Sequence, residues 1–128
     1  MPSDLFSNCQ FFDLPDYLTY RCTSSSIRSS CSLTCKCSFI PSPQSASFDN
    51  QKKGGWQDSF FEAIGLEEFV KNGYKQIGAE KQNQYDGEEQ PKAVLTAGLP
   101  IAKGLTKKAA EELGLLEGTP VGSGVIDA

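Results

Sequence analysis

The apolar residues of this chain fall into separate segments that are divided by two long polar stretches. The first stretch lies near residues 41–53 and the second near residues 79–97. Most connections inside a compact domain are only a few residues long, so two long ones argue against a complete core. Only 38% of the 128 residues are hydrophobic. We therefore expect the chain to form part of a domain that buries its apolar faces against further sequence.

A helix is predicted over residues 11–23. Asp13 suits the N-cap position, where its side chain can accept from a free helical amide. Pro15 is tolerated in the first turn, because an amide proton there would have no helical partner. Helical spacing also produces an apolar stripe, formed by Leu14, Tyr17 and Leu18. The following residues, 24–37, are rich in serine and cysteine and favour no single element.

Two more helical stretches and a strand are predicted beyond the first polar stretch. Trp56 begins a helical stretch that Gly65 interrupts. A further helix follows Thr106, a good N-cap residue, and ends at Gly114. The residues after Gly118 are expected to form a short C-terminal strand, because a turn leads there into a β-branched run. The chain should therefore be mainly helical. Aromatic side chains at helical spacing are expected in its core: Trp56, Phe60 and Phe61.

Composition excludes several classes of protein. The net charge of −4 at pH 7 provides no basic surface for nucleic acid. No run approaches the roughly 20 apolar residues that cross a bilayer, and the first residues do not resemble a signal peptide. We expect a soluble, cytoplasmic protein that binds neither nucleic acid nor membranes. The chain has no histidine, which excludes Ser-His-Asp and Cys-His catalysis within it.

The five cysteines suggest a metal site at first sight, since Cys31, Cys35 and Cys37 lie close together in sequence. Structural zinc sites favour pairs of cysteines separated by two residues, and this chain has no such pair. We therefore expect no metal ligands among these residues. Small, buried and reduced thiols are the expectation instead.

Two charged residues are candidates for binding or catalysis. Asp127 stands at the end of the predicted strand, after two glycines, Gly122 and Gly124, that leave room for a ligand. A carboxylate there could accept a proton from a bound hydroxyl, or it could be a solvated strand end. Lys36 lies in a run of small and apolar residues. It is either a surface lysine with a buried stem or a buried donor to a ligand oxygen.

Three segments taken together resemble the ribulokinase-like branch of the FGGY carbohydrate kinases. Residues 11–36 contain a D-Y-L helix followed by the pattern R-S-x-C-x-x-x-x-K, represented by Arg28, Ser29, Cys31 and Lys36. Residues 54–78 are similar to the next helical region of that branch. Residues 104–128 contain the pattern G-L-x-x-G-x-P-V-x-x-x-x-x-D, which ends at Asp127.

This resemblance implies a fold as well as an activity. The family folds as two ribonuclease H-like α/β domains, related to actin and hexokinase. Residues 1–128 would be the latter part of the first domain, with polar insertions near 41–53 and 79–97 and without the nucleotide-binding second domain. Such kinases transfer the γ-phosphate of ATP, with Mg²⁺, to a hydroxyl of a sugar, here a pentulose.

The resemblance also implies roles for the two candidate residues. Asp127 matches the catalytic base that takes the proton of the sugar hydroxyl, and Lys36 matches a lysine that binds the ketose. No residue matches a nucleotide or metal ligand, so the chain alone is expected to be inactive. The alternative is a truncated, non-catalytic paralogue that acts as an interaction protein, because a partial domain leaves apolar surface uncovered.

Overall fold

The computed structural model describes residues 3–40, 55–78 and 94–127. Of the two polar stretches, the one near 41–53 lies outside these ranges, and only residues 94–97 of the other lie inside them. The described residues form six short helices and two short strands. In chain order these are α1 (Ser3–Asn8), α2 (Leu14–Thr23), β1 (Arg28–Ser29), α3 (Ser30–Lys36), α4 (Asp58–Ala63), α5 (Glu67–Lys71), β2 (Val94–Leu95) and α6 (Lys107–Leu113).

The two strands form a small parallel pair. Arg28 lies opposite Val94, and Ser29 lies opposite Leu95. Because α3 begins directly after β1, the strand leads straight into a helix. The mainly helical character expected from the sequence is confirmed, and the parallel pair agrees with an α/β class.

Helix α2 has the predicted N-terminus but the opposite orientation of its faces. Asp13 is the N-cap residue and Pro15 lies in the first turn, although the Asp13 side chain does not cap the helix. The buried side chains of α2 are polar, namely Asp16 and Thr23. The predicted apolar stripe faces outward instead, with exposed fractions of 66% for Leu14, 42% for Tyr17 and 55% for Leu18.

Helix α6 forms as predicted. The hydroxyl of Thr106 accepts from the Ala109 amide at 3.3 Å, which satisfies one of the free amides at the start of the helix. Gly114 ends the helix in the left-handed conformation, with φ of 69°. Ala109 and Ala110 pack with Leu105 in a small apolar cluster.

The predicted C-terminal strand is wrong. The last segment runs beside residues 98–105 and shares only an isolated antiparallel bridge with it, between Pro100 and Gly122. Hydrogen bonds join the two segments from the Ile101 amide to the Val121 carbonyl and from the Ser123 amide to the Leu99 carbonyl, each 2.8 Å long. These two bonds flank the pair of Pro100 and Gly122, and the pairing does not continue as a regular ladder on either side.

An aromatic core lies between α3, α4 and α5. The Trp56 ring stacks on Tyr74 with centroids 5.4 Å apart, and its indole nitrogen donates to the Gly78 carbonyl at 2.8 Å. Phe61 is buried as expected, whereas Phe60 is 41% exposed, so that expectation is wrong. The buried members of this core are Leu33, Phe39, Trp56, Phe61, Phe69, Tyr74, Ile77 and Val94.

The described residues on either side of the first gap are joined directly. The Ile40 amide donates to the Gly55 carbonyl at 2.8 Å. A side chain at position 55 would place its Cβ 2.3 Å from the Ile40 carbonyl oxygen. Glycine is therefore required at position 55 by the close approach of the backbone.

Neighbouring phenylalanines provide a test of this core. Phe61→Ala should lower the free energy of unfolding by roughly 3–5 kcal/mol, because it leaves a cavity beside Trp56. Phe60→Ala, at an exposed position, should lower it by less than about 1 kcal/mol. Urea denaturation followed by the fluorescence of the single tryptophan measures both. Equal effects of the two substitutions would contradict the packing described.

Candidate functional site

Lys36 is the last residue of α3 and lies at the surface. Its ammonium nitrogen is 3.0 Å and 3.2 Å from the two carboxylate oxygens of Asp13. The side chain of Lys36 is 52% exposed and that of Asp13 is 15% exposed. The alternative of a buried donor is therefore wrong, because the Lys36 ammonium group lies at the surface, where it is paired and accessible from solvent.

Ser29 connects β1, α3 and the C-terminal segment. It is the N-cap residue of α3, and its hydroxyl accepts from the Cys31 amide at 3.2 Å. The same hydroxyl donates to the Gly124 carbonyl at 2.6 Å. Its own amide donates to a carboxylate oxygen of Asp16 at 2.9 Å. Ser29 has no exposed surface, so water does not compete for these bonds.

The segment that carries Asp127 lies against α2. A Cβ added to Gly124 would lie 2.9 Å from the Pro15 Cβ and 3.4 Å from the Ser32 hydroxyl. Gly124 is therefore a glycine of close approach, but its neighbour is the Pro15 side chain and not a ligand. Asp127 itself is exposed, three residues beyond this contact.

Two side chains of opposite charge, those of Asp16 and Arg28, are buried beside Ser29. Asp16 is fully buried and Arg28 is 1% exposed. One guanidinium nitrogen of Arg28 donates to the Phe11 carbonyl at 3.0 Å, and the guanidinium carbon is 3.4 Å from the centre of the Phe12 ring. Burial lowers the pKa of Arg28 to about 10, so this side chain stays charged at neutral pH.

Burial acts on Asp16 in the opposite direction. It raises the pKa of the Asp16 carboxyl above its usual value, while the Ser29 amide and the charge of Arg28 partly offset the rise. Within the described ranges, three buried side-chain atoms lack a hydrogen-bond partner, namely Asp16 Oδ2, Arg28 Nε and Ser32 Oγ. These polar atoms surround the point where β1 meets α3.

The first turn of α2 is the common support of these contacts. Asp13 forms an ion pair with Lys36, and Pro15 packs against Gly124. Asp16 accepts a hydrogen bond from the Ser29 amide. Sequence reasoning selected Lys36 and Asp127 but missed the role of Asp16. The available signal was the D-Y-L motif, whose first letter is this aspartate.

The cysteines differ from the expectation of buried thiols. All five are free, four of them are half-buried, and Cys35 is exposed. In the part of the chain that the structure describes, no three Cys, Asp or Glu side chains are grouped closely enough to hold a metal ion. No helix among these residues is both long and apolar enough to span a bilayer.

Curated proteins match this sequence along nearly its whole length. It is 41% identical over 128 residues to D-ribulokinase YDR109C of Saccharomyces cerevisiae. It is 39% and 41% identical, over 118 residues each, to FGGY carbohydrate kinase domain-containing proteins of Danio rerio and Homo sapiens. The chain is therefore similar to one segment of these FGGY carbohydrate kinases. No family model matches it.

The match covers all of this chain but little of each kinase. The alignments span 100% and 92% of the chain, and 16% and 17% of the yeast and human proteins. The chain therefore spans about a sixth of the length of the curated relatives it matches. Because the described residues contain no group of three Cys, Asp or Glu side chains that could hold a metal ion, no residue among them is assigned to MgATP.

The buried carboxyl predicts a specific dependence of stability on pH. Since the pKa of Asp16 is raised above 3.8 by burial, the folded chain keeps this proton at pH values where the unfolded chain has lost it. The contribution of Asp16 to the free energy of unfolding should therefore fall as the pH rises from about 4 through the raised pKa. Asp16→Asn should lack this fall.

Urea denaturation of the wild type and of Asp16→Asn at successive pH values measures the difference. We expect the unfolding free energy of the wild type, relative to the variant, to decrease across that window. Asp4→Asn, at an exposed position, is the control for removal of a charge. A relative stability that increases with pH would show that Ser29 and Arg28 outweigh burial, and would contradict the prediction.

Proposed function

We propose that this chain forms the sugar-binding side of an ATP-dependent carbohydrate kinase that acts on a pentulose. The observation that supports this most directly is the alignment of all 128 residues with a protein named D-ribulokinase, at 41% identity. D-ribulose is accordingly the first sugar to test. The reaction would transfer the γ-phosphate of ATP to one hydroxyl of that sugar, in the cytoplasm.

In this proposal the chain corresponds to the latter part of the first ribonuclease H-like domain. The polar stretches near 41–53 and 79–97 are insertions in that domain. Contacts to MgATP come from the parts of the kinase that lie outside the matched segment, including a second domain. The 128 residues alone are therefore proposed to have no activity, since a positioned base gains nothing without a bound phosphate donor.

Asp127 is proposed as the general base. Phosphoryl transfer requires an acceptor oxygen in line with the phosphate and a group that takes its proton. Asp127 is exposed, so a sugar hydroxyl can reach it, and the preceding Gly124 is held on Ser29 and Pro15. A carboxylate at the end of a fixed segment has the chemistry that this role needs.

Lys36 is proposed as a donor to a sugar oxygen. The carboxylate of Asp13 already holds its ammonium group, which has three donors and uses part of this capacity in the pair. A side chain that is held before the ligand arrives loses less conformational freedom on binding. The exposed fraction of 52% leaves the remaining donor capacity accessible.

A second candidate function is that of a non-catalytic interaction protein. The observation that favours it is the exposure of large apolar side chains on α2 and after α6, such as Leu14 at 66%, Leu116 at 82% and Val125 at 68%. Exposed apolar patches mark interfaces in many proteins. A stoichiometric complex of the purified chain with a full-length kinase in size-exclusion chromatography would favour this function, whereas soluble aggregate would not.

A chimera provides the test of catalysis. In it, residues 1–128 replace the matched segment of the yeast protein, and ATP-dependent phosphorylation of D-ribulose is measured. Asp127→Asn should lower kcat roughly 10²–10⁴-fold, because the amide keeps the shape of the side chain but accepts no proton. Glu117→Gln, an exposed carboxylate earlier in the same segment, is the control and should leave kcat unchanged. A near-normal kcat for Asp127→Asn would show that Asp127 is a solvated carboxylate with no role in catalysis.

Lys36 should affect a different kinetic parameter in the same chimera. Lys36→Met keeps the stem but removes the ammonium donor, so we expect KM for the sugar to rise while KM for ATP stays nearly constant. Lys71→Met is the matched control, since Lys71 is also an exposed lysine that ends a helix. If Lys36→Met changed only the thermal stability, the lysine would be structural and the sugar contact would lie elsewhere.

A further inference from the structure

Ser29 is bonded to two elements, each of which carries one of the residues proposed to act on the sugar. Its hydroxyl donates a hydrogen bond of 2.6 Å to the Gly124 carbonyl, and Asp127 follows Gly124 by three residues. Its hydroxyl also accepts from the Cys31 amide and so caps α3, the seven-residue helix that ends at Lys36. One buried hydroxyl thus contacts both the segment that carries Asp127 and the helix that carries Lys36.

The connections from Ser29 to each of these residues are short. Seven helical residues span about 10 Å, and the helix is a stiff element. Three residues of extended chain reach at most about 11 Å. A displacement of Gly124 relative to the start of α3 would therefore be passed on to the spacing between the Asp127 carboxylate and the Lys36 ammonium group.

Helix α2 holds the same arrangement from the other side. Asp16 fixes the Ser29 amide at 2.9 Å, and Asp13, in the same turn, fixes Lys36 at 3.0 Å. These contacts form a closed ring. It runs from Asp13 to Lys36, along α3 to Ser29, and from Ser29 to Asp16 on α2. The C-terminal segment joins this ring through the Ser29 hydroxyl and through the packing of Gly124 on Pro15.

We propose that Ser29 is a positioning residue, whose hydroxyl sets the distance between the Asp127 carboxylate and the Lys36 ammonium group. This inference rests on the proposed function of these two residues. Ser29 does not touch the sugar, because it has no exposed surface. It acts through the Gly124 carbonyl, and a misplacement of about 1 Å at a reacting group can lower a rate about 10²-fold.

The test uses the chimera, with rates normalised to folded protein by circular dichroism. Ser29→Ala removes the hydroxyl, and Ser29→Cys keeps nearly the same volume but donates only weakly. We expect both variants to lower kcat roughly 10–100-fold, with KM for ATP unchanged. Should Ser29→Ala fail to fold, the volume-conserving Ser29→Cys carries the same prediction.

Thr106→Ala is the matched control for loss of a helix cap. Thr106 caps α6 with its hydroxyl, as Ser29 caps α3, but among the described residues no hydrogen bond joins its hydroxyl to the C-terminal segment. Thr106→Ala should lower Tm less than Ser29→Ala, which also loses the bond to the Gly124 carbonyl, and it should leave kcat unchanged. Equal kcat values for the Ser29 variants and Thr106→Ala would overturn the proposal, since Ser29 would then be a helix cap and nothing more.

A double-mutant cycle separates this inference from the proposed function. If Ser29 acts through Asp127, Ser29→Ala should change kcat by less than about twofold in an Asp127→Asn background. Additive losses in kcat would overturn the positioning role. A normal kcat for Asp127→Asn alone would instead overturn the proposed function, whatever the Ser29 variants show.

Discussion

A buried carboxylate is tolerated only where hydrogen bonds and opposite charge replace its water, and the whole arrangement around α2 depends on how Asp16 meets this condition. One of its oxygens accepts from the Ser29 amide, and the guanidinium group of Arg28 supplies the opposite charge. Both partners belong to β1. Asp16 therefore joins the first turn of α2 to the strand, and it satisfies a buried backbone amide that would otherwise lack a partner.

This polar contact explains why α2 has its apolar side on the outside. The helix turns Asp16 and Thr23 inward, so Leu14 and Leu18 are left at the surface. In a small complete domain such an orientation would forgo the stabilisation that comes from burying these apolar side chains. It fits a chain that corresponds to about a sixth of its relatives, in which further sequence is available to cover this side.

Local signals predicted the ends of the helices well. Thr106 and Gly114 bound α6, because capping depends on residues that are adjacent in sequence, and Asp13 precedes α2 although its side chain makes no cap bond. The orientation of α2 could not be predicted in this way, since a partner 13 residues away decides it. The prediction of a C-terminal strand was also wrong, because the segment beside it forms only an isolated bridge with it, between Pro100 and Gly122.

The candidate site was predictable in part. The D-Y-L and R-S motifs mark Asp16, Arg28 and Ser29 by resemblance, but sequence spacing does not reveal that these residues contact one another. Nor does it reveal that the Lys36 ammonium group is paired with Asp13, which is 23 residues distant in the chain. Long-range contacts of this kind arise from the packing of elements and not from the periodicity of any one of them.

The hydrogen bond between Ile40 and Gly55 bears on how this sequence can change in evolution. Because the chain is closed at these two residues, adding residues between them mainly increases the entropy lost in closing a loop. That loss grows only with the logarithm of loop length, by about 0.6 kcal/mol for each doubling. Counting this entropy alone, a change in the number of residues between positions 40 and 55 costs little free energy of folding, and the bond between Ile40 and Gly55 keeps the two ends of the intervening chain together.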